Sequence, residues 1–152
     1  MSSIMYIIIV YGSCSEYLKD CLQVVQNTAA RCVTGLAWTT PVAVLLLQFG
    51  WLSVRQLIMF HSLVTVFKIK QDGKPIYLNE KLSRSFNYET RLSKTNAIRK
   101  TEKIGSDYRK LSFIPRSSNQ WIIPPAKIRN LTELKHFKTE LRSWIKKNVS
   151  IQ

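Results

Sequence analysis

The sequence predicts a mainly α-helical fold, a helical core with an irregular basic section that can hold short strands. Three observations carry this. Apolar residues recur at three- and four-residue steps across most of residues 15–72 and again near the end of the chain. Gly35, Gly50 and Gly73 each stand just past such a stretch, where a glycine accepts the left-handed turn that ends a helix. Between residues 84 and 116 the periodicity lapses and basic residues crowd in. At 152 residues and 45% apolar content, the chain suits one domain with a sizeable core. We divide it into an apolar helical core at 1–83, a basic irregular section at 84–129 and a C-terminal amphipathic helix at 130–152 that packs on the core.

The opening MSSIMYIIIVYGSC holds an apolar run of about seven residues, far short of the ~20 that span a bilayer. It lacks the basic region that precedes a signal sequence. It reads as a buried strand or helix end cut from a longer chain, and no membrane partner is expected. Cys14, Cys21 and Cys32 are odd in number and form no CxxC pair, which argues against a secreted disulfide framework. NLT at 130 and NVS at 148 match glycosylation acceptors and are read as chance. The expected location is intracellular, cytoplasmic or nuclear.

The first long helix is predicted over 15–34, with a capping box from Ser13 and Glu16. Leu18, Cys21, Leu22, Val25, Ala29, Cys32 and Val33 form its apolar stripe, so Cys21 and Cys32 are expected to be small buried hydrophobes. Ala29 and Ala30 permit close approach of another helix, and Arg31 projects away from the stripe. In the next helix, VAVLLLQF, Thr40 is the expected cap and Pro41 sits in the first turn. It is apolar nearly all round and expected to be buried.

The best-signalled start is at Ser53, which makes a capping box with Gln56, while Leu52 and Leu57 occupy staple positions. Ten of the seventeen residues 53–69 are apolar, so this helix should be surrounded and form the centre of the core. Leu57, Phe60, Val64 and Phe67 share one expected buried face. Residues 75–82 suggest a short helical turn. The prolines of WIIPPAKIR break regular structure. The last helix is predicted to start near Asn130, capped with Glu133, and to bury Leu134, Phe137, Leu141, Trp144 and Ile145.

Charge is unevenly placed. Net charge is +14, yet residues 1–65 hold three basic and two acidic side chains, and residues 66–152 hold 20 and 7. The second half is therefore +13, which suits a polyanionic partner. Arg84, Arg91, Lys94, Arg99, Lys100, Lys103, Arg109, Lys110 and Arg116 are interleaved with Phe86, Tyr88, Tyr108 and Phe113. Such cations neutralise phosphates, and such aromatics stack on unpaired bases. These nine basic residues are the candidate nucleic-acid contacts. A solvated basic face, with the aromatics packed on the core, is the competing reading.

Chemistry at a site finds little support. The cysteines, His61 and His136 match no zinc spacing. His61 is expected in the core and His136 on the surface. Asp20, Asp72 and Asp107 are far apart and cannot supply the clustered carboxylates of a two-metal site. No phosphate-binding glycine loop is present. The expectation is a chain with no enzymatic activity, no metal, no cofactor and no small-molecule substrate.

LQVVQNTAARCVTG resembles the LQ-x-x-QN-x-AAR-x-x-TG segment downstream of the polymerase core in reverse transcriptases of non-LTR retrotransposons, especially jockey-like elements. GWLSVRQLIMFHSLVTVFKI is similar to that family's next helix. PIYLNEKL with YETR resembles its P-x-YL…TR stretch, LSFIPR its SF-x-x-R stretch and FKTELRSWI its closing helix. Order and spacing hold over residues 11–149. The chain departs at Trp121-Ile122, where the family shows an aromatic-Asn before Pro-x-x-Ile-Arg, and it adds Pro124. The resemblance implies the C-terminal, post-polymerase part of an RNA-directed DNA polymerase, whose catalytic aspartates lie upstream. It implies a non-catalytic appendage that binds RNA or DNA and adjoins a polymerase domain, as a truncated or separate copy. A helical protein–protein interaction module and a decayed fragment without function are the alternatives.

Overall fold

The computed structural model describes residues 8–83, 106 and 110–148. The fold is mainly α, with no strand among the described residues. Residues 8–11 are helical, and further helices among the described residues are α1 (Glu16–Thr34), α2 (Val42–Phe49), α3 (Val54–Asp72), α4 (Ile76–Ser83), α5 (Phe113–Ile122), α6 (Ala126–Arg129) and α7 (Leu134–Asn148).

Helix α3 is the axis of the fold. Ser53 Oγ accepts from the Gln56 N–H at 3.3 Å, and Gln56 Oε1 accepts from the Ser53 N–H at 3.0 Å, so the expected capping box forms. Gly73 ends the helix at φ 67°. Ten of its nineteen residues are buried, as its lack of a polar face requires. It packs chiefly on α7 and α5, where Phe137 stacks on Phe67 at 4.3 Å and lies 5.9 Å from Trp121. Leu63, Val66, Leu141 and Ile145 complete this centre. On the expected face of α3, Val64 and Phe67 are buried, while Leu57 and Phe60 are only half-buried at its rim.

Two expectations along the second half are corrected. The section read as irregular to residue 129 contains α5 and α6, and residues 110–111 are helical too. Helix α5 escapes apolar patterning because Pro115, Ser117 and Ser118 are buried beside Trp121. Small residues fill its contact face and let it approach the core closely. Pro115 lies in the first turn, where a missing N–H costs nothing. Asn130 does not open the last helix. Its N–H bonds back to the Ala126 carbonyl and the Leu131 N–H to the Ile128 carbonyl, which closes α6, so α7 begins four residues after Asn130 at Leu134. The α7 stripe itself is as expected, with Phe137, Leu141 and Ile145 buried and Leu134 and Trp144 against the core.

The largest correction concerns α1. Its start is at Ser15–Glu16, and no side chain caps it. Glu16 pairs instead with Lys19 at 2.7 Å and with Arg55 at 3.1 Å. The face turned inward is polar: Lys19, Gln23, Gln26, Asn27 and Ala30, at helical spacing. Gln23 Oε1 accepts from the Val54 N–H at 2.8 Å, and Gln26 Nε2 donates to the Leu52 carbonyl at 2.9 Å. Ala30, fully buried, provides the close approach. Most of the predicted apolar stripe therefore faces out: Val25 is 66% and Val33 72% exposed, and Cys21 and Cys32 are exposed rather than buried, while Leu22 alone of the stripe packs inward, on the Ile8–Val54–Ile58 cluster. Helix α2 is likewise not buried all round. Leu45 and Leu46 are buried, but Leu47 is 72% exposed. Its N-cap is Pro41, whose carbonyl accepts from Val44 and Leu45, so Thr40 is not the cap.

The N-terminal apolar run is described from Ile8, which packs in a small second cluster with Val54 and Ile58. Residues 1–7 lie outside the described residues.

Two outcomes follow from this packing. Phe137→Ala should cost ~3–5 kcal/mol, the usual range for a buried phenylalanine, and half-buried Phe60→Ala distinctly less. Urea midpoints of the two variants check that order, and equal midpoints contradict it. Gln23→Ala leaves the Val54 N–H without its acceptor and should cost ~1–3 kcal/mol. A midpoint equal to the parent's would show that α1 is not held through this bond.

Candidate nucleic-acid interface

Of the nine basic residues singled out in the sequence, Arg84, Arg91, Lys94, Arg99, Lys100, Lys103 and Arg109 lie outside the described residues. Lys110 is exposed. Arg116 is turned inward. Its guanidinium donates to the Ile9 carbonyl at 2.9 Å and to the Leu111 carbonyl at 3.3 Å. It runs over Gly12, where any Cβ would collide with it. Burial disfavours its charged form. Arg116 thus ties the N-terminal turn to α5, a role the expected phosphate contact does not include.

A cationic row absent from the predicted set lies on α7. Lys135, Lys138, Arg142 and Lys146 recur at steps of three, four and four, along the flank of the buried stripe, three of them directly after Phe137, Leu141 and Ile145. Lys138 is half-buried and the other three are exposed. Lys138 also lies near His61, and burial first, then this cation, lowers the His61 pKa. His61 is half-buried with its ring edge-on to Phe60 at 5.4 Å. His136 is exposed and 3.2 Å from Glu133.

The row ends at the α2–α3 turn. Gly50, at φ 61°, donates its N–H to the Leu47 carbonyl at 3.0 Å, and Trp51 donates to Leu46 at 2.9 Å. This is the paired helix-end pattern that a left-handed glycine permits. It sets the Trp51 ring on Phe49, centroids 4.6 Å apart. Arg142 Nη2 donates to the Gly50 carbonyl at 3.2 Å, and Lys146 Nζ lies 3.4 Å from where a Gly50 Cβ would stand. Cations and aromatics are thereby brought together from residues about 95 apart in sequence, which no local motif announces.

The first 65 residues are nearly neutral. Glu16, Lys19, Asp20 and Arg55 form one ion-pair cluster between α1 and α3, with Arg55 2.8 Å from Asp20. The Lys19 hydrogen bond leads in holding Glu16 below the usual carboxylate range. Arg31 lies over Trp38 at 5.0 Å and donates to the Thr40 carbonyl at 3.3 Å. The outer face of α1 carries Tyr17, Leu18, Val24, Val25 and Val33 without a charge among them.

Among the described residues, no group of three or more His, Cys, Asp or Glu could hold a metal ion. No single described helix is long and apolar enough to cross a membrane. Helices α2 and α3 together pass that test by length and composition, bent by 44°, but α3 spends its apolar surface inside the core.

The outward face of α1 is checked by thiol labelling. Cys21 and Cys32 should react with a maleimide in native buffer at near the rate of the urea-unfolded chain. Protection of both by orders of magnitude would place them in a buried stripe after all. Comparisons with protein-family models, with curated proteins and with solved structures find no match to this chain.

Proposed function

We propose that this chain is a non-catalytic, nucleic-acid-binding C-terminal appendage of a non-LTR retrotransposon reverse transcriptase, as a truncated or separate copy. The single observation that carries the binding reading is the charge asymmetry, +13 over residues 66–152 against +1 before them. The parentage rests on the ordered resemblance of five segments. The cationic row on α7 supports the binding reading further, since four cations at helical spacing can follow one phosphate backbone.

A second reading, a protein–protein interaction module, is favoured by the uncharged outer face of α1. Both fit one proposal. In the parent enzyme the polymerase portion would cover the α1 face, while the basic side stays free for RNA or DNA.

Salt dependence tests the binding reading. The chain should bind single strands at low salt, with log affinity falling by about 0.7 per contacted phosphate for each decade of salt. Replacing Arg91, Lys94, Arg99 and Lys100 by glutamine should make that slope shallower, and the thermal midpoint should stay nearly fixed if their role is at phosphates and not in the fold. Parent affinity and slope in that variant would reduce the basic section to a solvated face. No binding by the parent at low salt would leave the interaction module as the reading.

A further inference from the structure

We infer that Phe49, Gly50 and Trp51, with Arg142 and Lys146 of α7, form a stacking site for one unpaired base of a single-stranded nucleic acid. The inference deepens the proposed function and rests on it. It begins from an unusual tryptophan. Trp121 is buried in the core and Trp38 is 70% exposed, whereas Trp51 keeps 37% of its surface open with the backbone on both sides of it tied down. The Gly50 and Trp51 N–H groups bond back into α2, the Leu52 carbonyl is held by Gln26, and Ser53 caps α3. Trp51 is therefore presented on a rigid turn, with little conformational freedom left to lose on binding.

Its ring already stacks on Phe49 with 23° between planes, which makes the pair a two-ring ledge. A further flat ring extends such a stack, and a nucleobase is the flat ring that arrives joined to phosphates. Two cations stand at the corner where those phosphates would lie. Arg142 is held there by the Gly50 carbonyl and Lys146 follows one helical turn later. Among the described residues neither has a carboxylate partner. Both side chains are exposed, so they reach a ligand without desolvation of a buried charge. A duplex does not fit this chemistry, since its bases are already stacked on both faces. Stacking ignores the 2′-hydroxyl, so the corner takes RNA and DNA strands alike.

The test titrates the whole chain by fluorescence anisotropy with a labelled thymidine 12-mer and an abasic 12-mer of the same charge. The parent should prefer the base-bearing strand by about 5- to 150-fold, the range of one base–aromatic stack. Trp51→Leu should abolish that preference and leave the salt slope unchanged, and Trp51→Phe should retain most of it. Arg142→Gln with Lys146→Gln should weaken both strands and make the slope shallower. Should Trp51→Leu fail to fold, ultraviolet cross-linking of a bromouracil-bearing strand to the parent decides: adducts on Trp51 or Phe49 support the site, and adducts only elsewhere overturn it. Salt-dependent binding without base preference, or a preference that survives Trp51→Leu, overturns the corner and leaves the proposed function standing. A parent that binds neither strand overturns both.

Discussion

The N-terminus of α3 is the constraint on which the first half of the molecule depends. A helix apolar on every side must be enclosed, and an enclosed helix cannot leave its first N–H groups to water. Ser53 satisfies one and Gln23 another, while Gln26 holds the carbonyl just before the cap. Gln23 and Gln26 come from α1. They can reach only if α1 turns its amide-bearing face inward, and then most of its apolar stripe must face out. The exposed valines of α1 are thus a consequence of hydrogen-bond satisfaction at α3.

This explains how much of the fold was legible. Elements with one clear physical instruction were read correctly: the capping box at Ser53, the glycine stops at Gly35, Gly50 and Gly73, and the buried stripe of α7. Helix α1 carries two competing faces, one apolar and one of amides, and periodicity weighs only the first. Helix α5 was missed because serine and proline line its contact, and a volume fit has no hydrophobic signature. The start of α7 was misplaced because Asn130 ends one helix as readily as it begins another.

The candidate interface was less legible than the fold. A count of basic residues finds the charge but not its direction. Arg116 shows the difference: by sequence it belongs to the basic run, while in space its guanidinium serves two backbone carbonyls. The α7 row hides for the opposite reason, since its cations are interrupted by the apolar residues of the buried stripe.

The two halves also divide the surface by chemistry. The acids of the first 65 residues are spent on Lys19 and Arg55, and Arg31 leans on Trp38. What remains outside α1 is uncharged and offers a polyanion nothing, so nucleic acid is directed away from it. It suits instead a partner with an equally uncharged surface. The basic row of α7 has the reverse character, with charge and almost no open apolar area of its own. Beside α7 the α2–α3 turn combines the two, because Gly50 lets the chain reverse sharply enough to set an aromatic ledge against the last cations of α7. A strand held by charge along α7 would meet its first open aromatic surface there. The residue that makes the meeting possible is the glycine, which binds nothing itself. Any side chain at Gly50 would be strained at φ 61°, the conformation on which the turn depends.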